Sequence, residues 1–134
     1  MKIATNKEER YTLLNLLEEN LNSLHAPQVK SEFVLLNASG VRNMIVNLQH
    51  VNYIDSSGLS AILTANRICE EAGGVLVLCH LTEKVEKLIN ITRLDEVLNI
   101  IPTEKEAIEQ VIMADIEADL LAGTEEDTIT ATNA

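Results

Sequence analysis

The segment Asp55-Ser56-Ser57-Gly58 places an acidic residue, two hydroxyls and a glycine at one predicted strand-to-helix turn. A serine hydroxyl at such a turn can cap the helix, attack a substrate as a nucleophile, or accept a phosphoryl group. Capping by Ser56 or Ser57 is the simplest interpretation, because either oxygen can accept a hydrogen bond from a free N–H group of the first helical turn. The pattern leaves the other two roles open.

A hydrolytic role for either serine needs a general base and donors that stabilise an oxyanion. His50 and His80 each follow a predicted buried strand, so either imidazole could lie at the same sheet edge as Ser56. The segment lacks the G-x-S-x-G pattern of α/β-hydrolases, and no G-K-[ST] indicates a phosphate-binding loop. A small serine hydrolase that pairs Ser56 with His50 or His80 stays as an alternative hypothesis.

Phosphorylation is the third role that a serine at a helix N-terminus can have. Free N–H groups and the positive end of the helix dipole make a phosphate electrostatically tolerated there. The modification adds nearly two negative charges to a small surface while the fold stays intact. These properties suit an on/off switch for the binding of another protein.

The composition argues against several classes of partner. The 134 residues carry a net charge of −11, with one Phe, two Tyr and no Trp. The negative charge and the scarcity of aromatic platforms disfavour nucleic acid and anionic membrane surfaces as partners. The two cysteines form no C-x-x-C pair and are expected to be buried and reduced. We expect neither a metal nor a cofactor.

The N-terminal segment has no apolar core of a signal peptide, and no apolar stretch approaches the ~20 residues of a membrane-spanning helix. We therefore expect a soluble, cytoplasmic protein. As a separate expectation, the protein is a monomer or a weak dimer.

Hydrophobic periodicity predicts alternating helices and strands from residue 26 onward. Two strands, at residues 2–5 and 11–17, come first and can form a hairpin. The later predicted elements alternate in type: a helix near 26–39, a strand within 43–51, a helix at 57–72, a strand at 75–79, a helix at 82–92, a strand at 96–101 and a helix from 102 to about 113. This alternation predicts an α/β fold, a single small mixed β-sheet flanked by about four α-helices.

The charge of the chain is unevenly distributed. Residues 1–105 hold 13 acidic and all 10 basic side chains, whereas residues 106–134 hold 8 acidic and no basic ones. The acidic end offers little apolar surface to offset the entropy of ordering it. We therefore predict one domain over residues 1–113 and an acidic, disordered or loosely attached tail over residues 114–134.

Residues 51–108 resemble the STAS family, the domain shared by sulfate transporters and anti-sigma-factor antagonists. The shared features are an apolar strand, D-S-S-G-L, an amphipathic helix, G-G, a second apolar strand and V-x-x-L-I-x-I-T-x-L. The segment LNSLHAP, residues 21–27, resembles the first strand-to-helix loop of the family. The resemblance extends over about residues 10–112.

The resemblance implies a regulatory binding module and no enzyme. Stand-alone antagonists of this family bind an anti-sigma factor that is also an ATPase-type serine kinase, and phosphorylation of the serine after the aspartate releases them. By position that serine is Ser56; Asp55 shapes the turn, Ser57 caps the helix and Gly58 lets the partner approach the backbone. A PP2C-type phosphatase is a further expected partner. Antagonists usually have an acidic residue where this chain has Asn22, which leaves open a constitutive scaffold that works without phosphorylation.

Overall fold

The computed structural model describes the backbone of residues 1–133 and the side chains of residues 1–122. Within this part the strands are β1 (Lys2–Lys7), β2 (Thr12–Leu17), β3 (Asn20–Leu21), β4 (Met44–Asn47), β5 (Tyr53–Ile54), β6 (Leu76–Cys79) and β7 (Asn99–Ile101). The helices are α1 (Ala26–Ala38), α2 (Ser56–Glu71), α3 (Glu83–Ile91) and α4 (Glu104–Asn133), with a short 3₁₀ helix at Leu94–Glu96.

The main sheet has the strand order β1-β2-β4-β6-β7. β1 and β2 form an antiparallel hairpin, and the pairs β2–β4, β4–β6 and β6–β7 are parallel. The predicted mixed sheet is thereby confirmed. A second, two-stranded parallel sheet joins β3 to β5, with Asn20 opposite Tyr53 and Leu21 opposite Ile54.

Helices cover both faces of the main sheet, which explains why its central strands are apolar at every position but one. In β4 the alternating side chains Met44 and Val46 belong to the core under α1, α2 and α3. Ile45, between them, belongs to a second core that includes Ala107 and Val111 of α4. A strand buried on both faces cannot show the polar alternation of a half-exposed strand.

Two predicted strand boundaries are wrong, for different reasons. The apolar run at 43–51 is extended only over Met44–Asn47; the chain then turns, and the N–H of Val51 donates to the carbonyl of Leu48 at 3.0 Å. Leu48 and Val51, which follow the strand, are as buried as the strand itself, so their hydrophobicity does not mark its end. The strand predicted at 96–101 begins only at Asn99, because the 3₁₀ helix precedes it.

The predicted end of the last helix near residue 113 is also wrong. α4 continues past this point, and Asp115 is only 8% exposed. Its carboxylate accepts hydrogen bonds from Arg10 at 2.8 Å, Arg42 at 2.6 Å and Asn43 at 2.8 Å. Asp119 pairs with the same two arginines, at 3.0 and 3.1 Å.

These five residues form what we call the Asp115 cluster, at the edge of the sheet where β2 and β4 begin. The expectation of a loosely attached tail is therefore wrong for residues 115–119, since two arginines and an asparagine hold this turn of α4 on the sheet. The side chains from residue 123 onward lie outside the described part of the chain, so the prediction of a loosely attached tail stays a prediction there.

Candidate functional site

The serine turn begins α2 directly after β5. Asp55 has an extended backbone (φ −96°, ψ −175°), and its Oδ1 accepts a hydrogen bond from the N–H of Gly58 at 2.9 Å. Asp55 is therefore the N-cap of α2, and the prediction that Ser57 caps the helix is wrong. Aspartate and serine are similarly strong caps, and the residue that stays outside the helix takes the role. The cap leaves the hydroxyls of Ser56 and Ser57 without a structural task.

Asp55 also joins two loops. Its Oδ2 accepts a hydrogen bond from the N–H of Ser23 at 3.1 Å, and its own N–H donates to the carbonyl of Leu21 at 3.2 Å. The parallel pair β3–β5 brings the same segments together through their backbones. One carboxylate thus fixes the loop before α1 beside the turn before α2, which agrees with the role in shaping the turn that the resemblance implies for Asp55.

Gly58 is buried against this chain's own backbone. A Cβ atom at this position would collide with the carbonyl oxygen of Leu21 and lie 2.9 Å from Cγ2 of Ile54. Glycine is needed here because α2 crosses β3 at close range. The expectation that Gly58 lets a partner approach is wrong, since Leu21 and Ile54 occupy that space.

Asn22 builds the turn that starts α1. Its Oδ1 accepts a hydrogen bond from the N–H of Leu24 at 3.0 Å, and its carbonyl accepts from His25 at 3.0 Å and Ala26 at 2.8 Å. An asparagine commonly folds such a turn with its own side chain. Asn22 therefore lies on the loop that Asp55 holds, next to Ser23, and it adds no charge to the serine turn.

Ser56 and Ser57 line a shallow groove between the first turns of α1 and α2. Ser56 is exposed and Ser57 half-buried. The groove is lined by Ser23, Ala26, Pro27, Lys30, Ser56, Ser57 and Ser60. Among the residues whose side chains are described, neither Ser56 nor Ser57 has a hydrogen-bond partner for its hydroxyl. An exposed, unbonded hydroxyl in a fixed backbone is accessible to the active site of another protein.

The two candidate bases of a serine hydrolase are engaged elsewhere. Nε2 of His80 accepts a hydrogen bond from the N–H of Glu104 at 3.3 Å, at the start of α4. His50 is exposed, and its Nε2 lies 3.2 Å from Nε2 of Gln49. Within the described side chains, neither imidazole is hydrogen-bonded to Ser56, so the geometry does not assemble a nucleophile with its base.

Sequence reasoning missed Lys30, Leu24 and Tyr53 beside the serine turn. Leu24, which is 79% exposed, lies on the loop before α1, and Tyr53, which is 52% exposed, lies on β5 just before the serine turn. Nζ of Lys84 on α3 donates to the hydroxyl of Tyr53 at 2.9 Å, and this hydrogen bond raises the pKa of Lys84. A two-residue strand such as β5 gives no periodic signal that could have placed Tyr53.

The thiols are buried, and the side chains that could ligate a metal do not cluster in the described residues. Cys69 and Cys79 are buried and unpaired, and burial raises the pKa of their thiols to about 12 and about 11. In the described residues, no three His, Cys, Asp or Glu side chains are grouped as metal ligands. No helix in this part of the chain is long and apolar enough to span a bilayer.

A family model for the STAS domain matches residues 3–107 of the chain. The anti-sigma-B factor antagonist of Bacillus subtilis is 31% identical over 75 residues, which are 56% of this chain and 68% of that protein.

Solved structures show the same fold. The crystal structure of a candidate anti-sigma factor antagonist from Thermotoga maritima is 28% identical, with a TM-score of 0.77, and the match covers 81% of this chain and 93% of that one. The anti-sigma factor antagonist SpoIIAA of Bacillus is 21% identical, and its unphosphorylated form gives a TM-score of 0.65 over 82% of this chain and 97% of its own. SpoIIAA has also been solved in its phosphorylated form, with a TM-score of 0.64. Together with the family match, these likenesses confirm the resemblance seen in the sequence: the chain belongs to the STAS domain family.

Proposed function

We propose that this chain is an anti-sigma factor antagonist that binds an anti-sigma factor through the surface around Ser56 and is released when Ser56 is phosphorylated. The observation that carries the proposal is the exposed Ser56 hydroxyl at the first residue of α2, which the Asp55 cap leaves unbonded. The family match gives the class, because antagonists with a STAS domain are regulatory binding proteins and not enzymes.

The binding surface consists of the Asn22–Leu24 loop, Tyr53 and the turn at Ser56 and Ser57, which we call the switch face. Leu24, on the loop before α1, and Tyr53, on β5 before the serine turn, expose apolar and aromatic surface to solvent. Exposed aromatic and aliphatic side chains beside a polar centre are typical anchors of protein interfaces. The switch face therefore offers a partner both apolar contacts and a modifiable centre.

The partner, an ATPase-type serine kinase, supplies the phosphoryl group from ATP. Oγ of Ser56 attacks the γ-phosphorus, the bond from that phosphorus to the β–γ bridging oxygen breaks, and ADP leaves. The hydroxyl proton passes to a base of the kinase. A PP2C-type phosphatase restores Ser56 by hydrolysis, which transfers the phosphoryl group to water. No step needs a cofactor on this chain.

Phosphorylation weakens binding through charge and desolvation. The phosphate adds nearly two negative charges at the centre of the switch face. A partner that covers Ser56 would have to strip water from this dianion, and an unpaired charge in an interface is strongly unfavourable. The modified chain therefore dissociates while its fold stays the same.

A second candidate function is a constitutive STAS scaffold that binds its partner without phosphorylation. Asn22 is the observation that favours it, because the loop beside Ser56 has a neutral amide, already bonded to Leu24, where related antagonists usually have an acidic side chain. A kinase that uses an acidic residue of this loop would phosphorylate this chain slowly or not at all.

The two functions are separated by intact-mass measurement after incubation with ATP and an anti-sigma factor that is an ATPase-type serine kinase. We expect one phosphoryl group, mapped to Ser56 by peptide sequencing, in the wild type and in the control variants Ser57→Ala and Ser60→Ala. Ser56→Ala should take up none and should bind the kinase permanently.

Ser56→Asp should bind at least about tenfold more weakly, which corresponds to ~1.4 kcal/mol. Phosphate on Ser57 would reverse the roles of the two serines. Unmodified serines together with full affinity of Ser56→Asp would favour the constitutive scaffold instead.

A further inference from the structure

Among the described residues, Lys30 is the one cation that lines the groove beside Ser56 and Ser57. It lies on α1 one turn after Ala26, and its half-buried side chain shares the groove with Ser56, Ser57 and Ser60. In the part of the chain whose side chains are described, the Lys30 ammonium has no hydrogen bond and no ion pair. A chain with 21 acidic and 10 basic residues thus leaves a lysine unpaired beside its predicted phosphorylation site.

Other lysines near the switch face or the sheet are engaged or lie elsewhere. The ammonium of Lys84, on α3, donates to the hydroxyl of Tyr53, and that of Lys87 pairs with Glu83 at 3.3 Å. Lys7 donates to Oγ of Ser39 at 3.3 Å. Lys30 is therefore the cation available to a new anion in the groove.

We propose that Lys30 is the counter-ion of the phosphoryl group on Ser56 and holds the phosphate in the groove between α1 and α2. This inference rests on the proposed function, since it assigns a role within the same switch. Lys30 has no part in the transfer step; it acts on the product, the phosphorylated protein.

The charge balance of the groove supports this role. The Asp55 carboxylate is next to Ser56 in sequence and repels a phosphate dianion, although two backbone N–H groups already donate to it. Asn22 adds no negative charge from the neighbouring loop. A lysine in the same groove offsets the repulsion by Asp55, and an ammonium interacts with phosphate as a mobile point charge that needs no fixed geometry.

The consequence is a measurable property of the phosphoserine. A cation close to the phosphate favours its dianionic form and lowers its second pKa, whose ordinary value is ~6. Because the groove is open to solvent, we expect a moderate effect. Removal of Lys30 should raise that pKa by about half a unit, a change of about threefold in the acid dissociation constant.

The test uses full-length protein with phosphoserine incorporated at position 56 during translation, so it needs no kinase. The pKa is read from a ³¹P NMR titration of wild type, Lys30→Met, Lys30→Arg and the control Lys105→Met, whose lysine is exposed on α4. Asp55 and His25, the titratable groups on the adjoining loops, are present in every variant, so their influence cancels in the differences.

We expect a raised pKa in Lys30→Met, recovery in Lys30→Arg, and no change in Lys105→Met. The difference should shrink at high salt, because a partly exposed pair is screened. Equal pKa values in wild type and Lys30→Met would overturn the proposal.

If Lys30→Met does not fold, its amide NMR spectrum will show this. The test then rests on the phosphoserine pKa of Lys30→Arg compared with that of the wild type. In that case the proposal requires equal pKa values in these two proteins, and a difference of half a unit would refute it.

The same samples separate this inference from the proposed function. Binding of the phosphoserine protein to the anti-sigma factor at full affinity would refute the switch and leave the titration result standing. Unchanged pKa values together with loss of binding would refute the role of Lys30 alone.

Discussion

Replacement of Asp115 by asparagine tests whether the Asp115 cluster holds α4 on the sheet. The variant keeps the size of the side chain and removes its charge. It also replaces one acceptor oxygen with an NH₂ group, which then faces N–H donors of Arg10, Arg42 or Asn43. Those donors lose charged partners and cannot all find new ones in the same space.

The magnitude follows from burial and from the number of bonds. Loss of one partner of a buried ion pair typically costs 3–5 kcal/mol, and a hydrogen bond to a charged group contributes ~1.5–3 kcal/mol. Here Arg10 and Arg42 are partly exposed and retain Asp119, which lowers the cost. We expect Asp115→Asn to reduce the free energy of unfolding by about 2 kcal/mol.

The matched control is Asp119→Asn. Asp119 pairs with the same arginines but is 54% exposed, so its pairs should contribute about 0.5 kcal/mol or less. Urea-induced unfolding at neutral pH measures both variants against the wild type. A loss in Asp115→Asn no larger than that in Asp119→Asn would refute the conclusion that Asp115 holds this turn of α4 on the sheet.

The pH dependence of this difference has a definite sign. Burial alone would raise the pKa of Asp115, but hydrogen bonds from Arg42, Asn43 and Arg10 outweigh it and hold the pKa below its ordinary value. The contribution of Asp115 is therefore complete above the pKa of the unfolded chain, ~3.9, and is lost as the pH falls through the lower pKa of the folded state. The stability difference between wild type and Asp115→Asn should shrink below about pH 4. A difference that stays constant on acidification would contradict this origin.

Three further variants test the serine turn by urea unfolding. Asp55→Ala removes the cap and the bond to the Ser23 N–H, so we expect a loss of about 1–2 kcal/mol, while Ser57→Ala should change stability by less than about 0.5 kcal/mol. Equal losses of stability in the two variants would indicate that Ser57 also caps α2. Gly58→Ala forces a methyl group against the Leu21 carbonyl and should cost more than about 2 kcal/mol; a neutral effect would show that α2 can move away from β3.

The hairpin, the parallel core strands and the turn at Asp55–Gly58 could be predicted because each has a local signal. β6 is a short apolar run, and the two glycines after α2 mark the end of that helix, with Gly73 in the left-handed region at φ 80°. Patterns of this kind depend on residues within one or two turns of each other. The family motif adds its own order of elements, which the structure reproduces.

The Asp115 cluster could not be predicted in the same way. Arg42 and Arg10 are 73 and 105 residues away from Asp115 in sequence. An acidic residue after the last apolar turn of a helix suggests a solvated end, unless the fold is known to bring arginines to that place. The charge difference between the two parts of the chain is real, but some of the acidic charge is neutralised by basic residues of the domain.

The identity of the N-cap of α2 was a second feature that the sequence could not predict. Asp55, Ser56 and Ser57 all have side chains that can cap, and the sequence does not show which of them has an extended backbone. β5 decides this, because its pairing with β3 keeps the chain extended through Ile54 and leaves Asp55 as the last residue before α2. A two-residue strand has no periodicity to detect, so the assignment depended on tertiary pairing.

The serine turn and the Asp115 cluster lie at opposite edges of the sheet, and α4 runs from one edge to the other. Over residues 104–115 the helix rises about 16 Å, slightly more than the ~13 Å length of β4, so Asp115 reaches the edge opposite to the serine turn. At the serine turn, the described bonds of Asp55 and of the β3–β5 pair all use atoms other than the Ser56 hydroxyl. A phosphate on Ser56 therefore breaks no bond of the described fold, and it lies at the sheet edge opposite to the Asp115 cluster. It follows that the free energy of the switch should appear in the affinity for the partner and in the titration of the phosphate, while the unfolding free energy of the isolated protein stays nearly the same.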